Sequence, residues 1–221
     1  TLSAYIRHTI NETKESIWIA QREGRAKDSN DRTQGSVLKM LNMSGDKDIV
    51  SNIMDLNIFP VAISYEYDPC DFLKAKEFQM KRDDPNYVKS QRDDLLSMET
   101  GILNNKGRVH FTLTQPINDQ LAALDKDMEK NELIAAIANI IDKEIYKHYR
   151  FYPCNYVAYD MLTGTKRFNS NYGLRDKKHF EEYLQGQLDK IVLPNKDEAF
   201  LRTKILEMYT NPLKNHLATQ E

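Results

Sequence analysis

A chain of 221 residues with 40% hydrophobic side chains can close one large domain or two small ones around its own core. Only 8 Gly and 7 Pro exclude a low-complexity or linker-like protein. The 31 basic and 33 acidic residues leave a net charge of -2, which excludes a global pull toward nucleic acid or an anionic membrane, so any anion binding must be local.

Cys70 and Cys154 fit a reducing compartment better than a disulfide framework, and neither stands in a metal-ligand spacing. No run of 18 or more apolar residues is present, so no transmembrane helix is expected. The opening residues Thr-Leu-Ser-Ala-Tyr-Ile-Arg-His do not read as a secretory signal.

Leu2, Ile6 and Ile10 stand four apart, with Tyr5 and Thr9 beside them, and predict a helix to about Thr13. No cap precedes it in the sequence, and the expectation is that residues have been lost upstream. Ser16–Gln21 carries Ile17, Trp18 and Ile19 and predicts a buried strand. It delivers Arg22-Glu23-Gly24-Arg25 into a polar loop, as a substrate corner at the carboxyl end of an α/β sheet would. Gly24 permits a sharp turn and a close ligand, while Arg22, Arg25, Lys27 and Arg32 offer donors for an anion. A charged solvent loop is the bland alternative.

A second helix is expected over about Thr33–Met43, where Val37, Met40 and Leu41 share a face. Asp46 is the expected N-cap of a short helix through Leu56, and Ile58–Tyr67 a second strand. Strand, helices, strand make a crossover unit, which favours a parallel pair and a layered α/β sheet. Pro69 to about Met98 reads as helix interrupted at Pro85. Val109, Phe111 and Leu113 alternate with polar residues, as in a strand with one face buried, and place His110 on the polar side. Leu121 and Leu124 fall in a short helix. The strongest helix is Asn131–Tyr149, whose Leu133, Ile134, Ile137, Ile140, Ile141 and Ile145 form a broad stripe. Helices at about Lys178–Ile191 and Asp197–Tyr209 make a mostly helical C-terminal part over residues 151–221, following an α/β part over residues 1–150.

Arg22-Glu23-Gly24-Arg25-Ala26-Lys27-Asp28, behind an apolar strand, resembles the third sequence block of the glycerolipid acyltransferases, the lysophosphatidic acid acyltransferase-like superfamily. That block usually runs Phe-Pro-Glu-Gly-Thr-Arg-Ser. Downstream, Leu56-Asn57-Ile58-Phe59-Pro60-Val61-Ala62-Ile63-Ser64 resembles the fourth block, an apolar strand entered through proline. The recognisable part covers about the first 70 residues, and the remainder resembles a bacterial subgroup. Gln21-Arg22 stands where Phe-Pro is usual, and the threonine is absent, so Arg25 directly follows Gly24.

The resemblance implies an O-acyltransferase that moves a fatty acyl group from an acyl thioester, acyl-CoA or acyl carrier protein, to a phosphorylated glycerol-type acceptor. It implies no cofactor and no metal. Glu23, Gly24 and Arg25 would hold the acceptor's polar head, with Arg25 on its phosphate, and Arg22 and Lys27 could add charge. Pro60 and Val61 would lie near the acyl chain or support the site, strand entry being the other reading of Pro60. A cytoplasmic location with a peripheral contact at the inner membrane face follows from the same resemblance, and no nucleic-acid partner is expected.

In this family a His with an Asp five positions later acts as base and orienter. Here the fifth position is Thr13 after His8, Gln115 after His110, Pro153 after His148 and Leu184 after His179. After His216 it is Glu221, far behind the other blocks. The expectation is therefore a fragment without the catalytic pair, inactive by itself, with a non-catalytic lipid- or phospho-ligand-binding module as the alternative.

Overall fold

The computed structural model describes residues 1–24, 26–125 and 127–220. It is α-rich, 55% helical, with a single two-stranded antiparallel sheet among the described residues. The chain forms two compact units. One comprises Thr1–Arg25, Asp31–Ala62 and Phe111–Tyr149, the other Ala26–Asn30, Ile63–His110 and Arg150–Glu221.

In the first unit α1 (Leu2–His8) continues into a π-turn at Thr9–Thr13, which ends where Lys14 adopts a left-handed conformation. Thr1 caps α1, its Oγ1 accepting from the Ala4 amide at 3.3 Å, so the capless start expected from the sequence is corrected. α2 (Gly35–Asn42) and α3 (Ile49–Met54) follow. The cap of α3 is Asp48 rather than Asp46, with Oδ1 accepting from the Ser51 amide at 2.9 Å. The turn between α2 and α3 is held by Asn52, which is 1% exposed. Its amide donates to Asn42 Oδ1 and the Lys47 carbonyl, and its Oδ1 accepts from the Lys47 N–H. Gly45 is required beside it, because a Cβ there would fall 2.1 Å from the Asn52 side chain.

β1 (Val61–Tyr65) pairs antiparallel with β2 (Val109–Leu113). α6 (Asn118–Ala122) and α7 (Lys130–Lys147) complete the first unit. The stripe expected on α7 is its buried face: Leu133, Ile134, Ile137, Ile141 and Ile145 pack with Leu38, Leu41, Val50, Ile53, Ile117 and Leu121.

The expected layered sheet differs from what the chain forms. Ser16–Gln21 forms no strand and has no ladder partner, and Trp18 and Ile19 are 69% and 44% exposed. β1 pairs with β2, joined to it through two helices, and not in parallel with Ser16–Gln21. The alternation in β2 is present with its sides reversed: Val109, Phe111 and Leu113 are exposed, while His110 and Thr112 are half-buried.

The second unit contains α4 (Asp71–Asp83), α5 (Gln91–Leu103), α8 (Pro153–Thr163), α9 (Leu174–Asp189) and α10 (Glu198–Leu217). α10 runs past the expected end at Tyr209 and through Pro212. Burial of Tyr209, Thr210 and Leu213 holds it in place despite the amide that proline lacks. Phe180, Leu184, Leu188, Leu201 and Ile205 form the apolar centre of this unit.

Beside them lies a polar knot on the fully buried Asp71. Tyr183 and Tyr209 hydroxyls donate to its Oδ2 at 2.7 and 2.8 Å. Gln187 Nε2 and the Phe72 amide donate to Oδ1 at 2.5 and 2.6 Å. Burial nevertheless lifts the Asp71 carboxyl to about 6, outweighing the tyrosine hydrogen bonds that favour the charged form.

Candidate functional site

The corner is built by residues flanking a polar loop in the first unit. The Gln34 amide donates to the Gln21 carbonyl at 2.9 Å, and the Glu23 amide donates to Gln34 Oε1 at 2.8 Å. These bonds cross-link the two ends of the loop. Gly24 turns the chain with φ +66, a left-handed conformation that glycine adopts without strain, and nothing approaches within 4 Å of where a Cβ would stand.

The returning strand of the loop, residues 31–34, is pinned to α7. Thr33 donates twice to Asp142 Oδ1, through its amide at 2.8 Å and its hydroxyl at 2.6 Å. Tyr146 Oη donates to the Asp31 carbonyl at 2.5 Å. Burial raises the Asp142 carboxyl, against the Thr33 hydrogen bonds that lower it. Burial also lifts Tyr146 to about 12, so it is a neutral donor at physiological pH.

Arg22 is the charged centre of the corner. One terminal nitrogen lies 3.9 Å from Asp31 Oδ1, a charge contact too long for a hydrogen bond. Its Nε is buried and has no hydrogen-bond partner among the described residues. A guanidinium has five donors in a fixed fork, and this side chain is 27% exposed, so donors other than the buried Nε are open to solvent. Arg32 is exposed in the same loop. The Glu23 side chain is also exposed. Arg25, placed on the acceptor phosphate by resemblance, lies outside the described residues.

Lys27 belongs to the other unit, where its ammonium is committed to Glu77 of α4, which also faces Lys81 at 3.3 Å. Burial lowers the Lys27 pKa, against the pull of Glu77. Around it, Asn211 donates to the Asp28 carbonyl and Asn215 to Asn30 Oδ1, so residues 26–30 are anchored to α10. Pro60 is buried in the first unit and its carbonyl accepts from the Thr114 amide at 3.0 Å; Val61 opens β1 and is half-buried.

Sequence reasoning missed Asp142 and Tyr146, which hold the corner's returning strand. The signal was present: Asp142 stands four after Ala138 and three before Ile145, inside the apolar stripe of its helix. An acid there needs a donor from elsewhere in the chain. His148 lies beside a carboxylate: Nδ1 is 2.8 Å from the Glu144 carbonyl and 3.9 Å from Glu144 Oε2. Glu144 sits in the last turn of α7 and His148 is its C-cap, so this is a local helix-end contact, not a base aimed at the corner.

No group of three metal-ligating side chains exists among the described residues, and no described helix is long and apolar enough to cross a membrane. No family model, no curated protein and no solved structure matches the chain.

Proposed function

We propose that this chain supplies the acceptor-binding part of an O-acyltransferase of the glycerolipid type. The enzyme moves a fatty acyl group from an acyl thioester to a hydroxyl of a phosphorylated glycerol. The observation that most supports the reading is the unsaturated Arg22 guanidinium at an Arg-Glu-Gly turn. Charge-assisted bonds of this kind are about twice as strong as neutral ones. Arg22 and Arg25 take the acceptor phosphate, and Glu23 accepts from a glycerol hydroxyl. In the transfer the acceptor oxygen bonds to the thioester carbonyl carbon, the carbon–sulfur bond breaks, and a base takes the hydroxyl proton. That base comes from outside these 221 residues. The layered sheet belongs to the same proposal: Ser16–Gln21, which carries Ile17, Trp18 and Ile19 without a ladder, becomes a strand when further sheet residues pair with it. Membrane contact of the working enzyme is peripheral.

Titration calorimetry with glycerol 3-phosphate and with inorganic phosphate tests the corner. Arg22→Ala and Arg25→Ala are each expected to weaken binding about tenfold or more, since a hydrogen bond to a charged group is worth roughly 1.5–3 kcal/mol. Affinities equal to wild type would remove these arginines from the site.

A second reading, a binding module without catalysis, is favoured by the absence of a histidine–carboxylate pair at the corner among the described residues. Under either reading the 221-residue chain itself should show no acyl transfer, because a general base is typically worth ~10²–10⁴-fold. Transfer by the natural gene product would support the enzyme, and phosphate binding without it would support the module. Measurable turnover by the 221-residue chain would overturn the assignment of the base, and His110, half-buried on β2, would be the first residue to replace.

A further inference from the structure

α5 is amphipathic in the opposite sense from a core helix. Its polar and small residues face its own unit: Thr100 is buried, and Asp93, Ser97 and Gly101 are half-buried. The Cys70 thiol donates to the Ser97 carbonyl at 3.3 Å, and Lys89 donates to Ser97 Oγ at 3.0 Å. The apolar side chains point away. Leu95, Leu96, Met98, Ile102 and Leu103 are 46–72% exposed. The helix is internally well made, with a reciprocal capping box between Ser90 and Asp93, so the outward face is not a frayed end.

Two charges interrupt that face. Arg92 and Glu99 are seven residues apart, two turns along one line of the helix, between the Leu95–Ile102 and Leu96–Leu103 rows. Among the described residues neither has an ion-pair or hydrogen-bond partner. Other charges nearby are already used: Lys89 pairs with Asp94 at 2.7 Å, Arg108 with Glu66 at 2.8 Å, and Lys106 caps the Ile102 and Asn104 carbonyls.

We propose that α5 is a self-association surface, pairing antiparallel with α5 of a second copy of the chain. A two-fold axis near Leu95 and Leu96 sets Arg92 of each copy against Glu99 of the other, twice per dimer, while the aliphatic rows cover one another. A parallel pair would set Arg92 against Arg92 and Glu99 against Glu99, so the charges also select the direction. Insertion into a lipid surface fits less well, because it would take both charges out of water without partners.

The test is the oligomeric state of the 221-residue chain by sedimentation velocity and native mass spectrometry. Wild type is expected to dimerise. Arg92→Glu and Glu99→Arg alone each place like charges in both contacts and should weaken the dimer about tenfold. Arg92→Glu/Glu99→Arg together should restore it, and mixing the two single variants should give a mixed dimer. Leu95→Asp, at an exposed position, is expected to leave the circular dichroism unchanged and to give monomer. A wild type that stays monomeric would overturn the proposal. So would single variants that dimerise as well as wild type, or wild type that floats with phosphatidylcholine vesicles and shows no self-association.

Discussion

Asp71→Ala is expected to destabilise the unit that carries it by about 3–5 kcal/mol, because it leaves several buried donors without their acceptor. Tyr209→Phe removes one of those bonds and should cost about 1–2 kcal/mol. Hydrogen exchange at the amides of α4, α9 and α10 is the direct measurement. The pH dependence gives an independent check. The folded carboxyl, lifted to about 6, lies above the ordinary 3.8, so the folded unit holds this proton more tightly than the unfolded chain. Its contribution to stability is fully present below pH 3.8 and is lost as pH rises through about 6. The gap corresponds to about 3 kcal/mol, and the burial of the group leaves little solvent to screen it. Asp71→Asn keeps the shape and removes the titration, so its stability should stay level across that window. If wild type and Asp71→Asn follow one curve, the knot does not titrate.

Most helices with a face on the core were legible, but α8 was not, its buried side mixing Cys154, Val157 and Ala158 with Asn155 and Asp160 among tyrosines. The α7 stripe gave both the element and its buried side, because a period of 3.6 marks a face and a helix satisfies its own backbone. Strands were harder for the same physical reason. Ser16–Gln21 has the composition of a strand, yet a ladder needs a partner that local sequence does not supply, and the segment stays unpaired. In β2 the alternation was readable but the covered side was not, since period 2 defines two faces and only the tertiary neighbours choose between them. The parallel crossover failed with the strand on which it depended.

The site divides along a similar line. Gly24 could be read as a turn glycine from its neighbours, and it has the positive φ that reading requires. Lys27 looked free because its partner, Glu77, stands fifty residues away. Asp71 and Asp142 were hidden for another reason. Each is an acid whose meaning lies in distant donors, two tyrosines and a glutamine for one and Thr33 for the other. Their sequence trace is only a charged residue on a buried face, which by itself predicts that a partner exists without naming it.

Asp142→Ala is expected both to destabilise the first unit and to weaken anion binding at the corner. The carboxylate is 9% exposed and accepts the amide and hydroxyl of Thr33, so its loss leaves two donors unpaired, a cost of about 2–4 kcal/mol. Thr33→Val removes only the hydroxyl bond and should cost about 1 kcal/mol, while Asp142→Asn keeps an acceptor oxygen and should fall between. Burial raises this carboxyl too, so its contribution declines as pH rises, and the asparagine variant should lack that slope. The effect on binding follows from connectivity. Residues 31–34 carry Asp31, which faces Arg22, and Gln34, which holds Gln21 and Glu23. Freed from α7, the loop no longer fixes the guanidinium, and the ordering must then be met by the ligand's own binding energy. Glycerol 3-phosphate affinity should drop at least as far for Asp142→Ala as for Arg22→Ala, measured where urea unfolding shows both variants fully folded. A destabilised Asp142→Ala protein that binds phosphate as tightly as wild type would show that the loop supports the fold but not the corner.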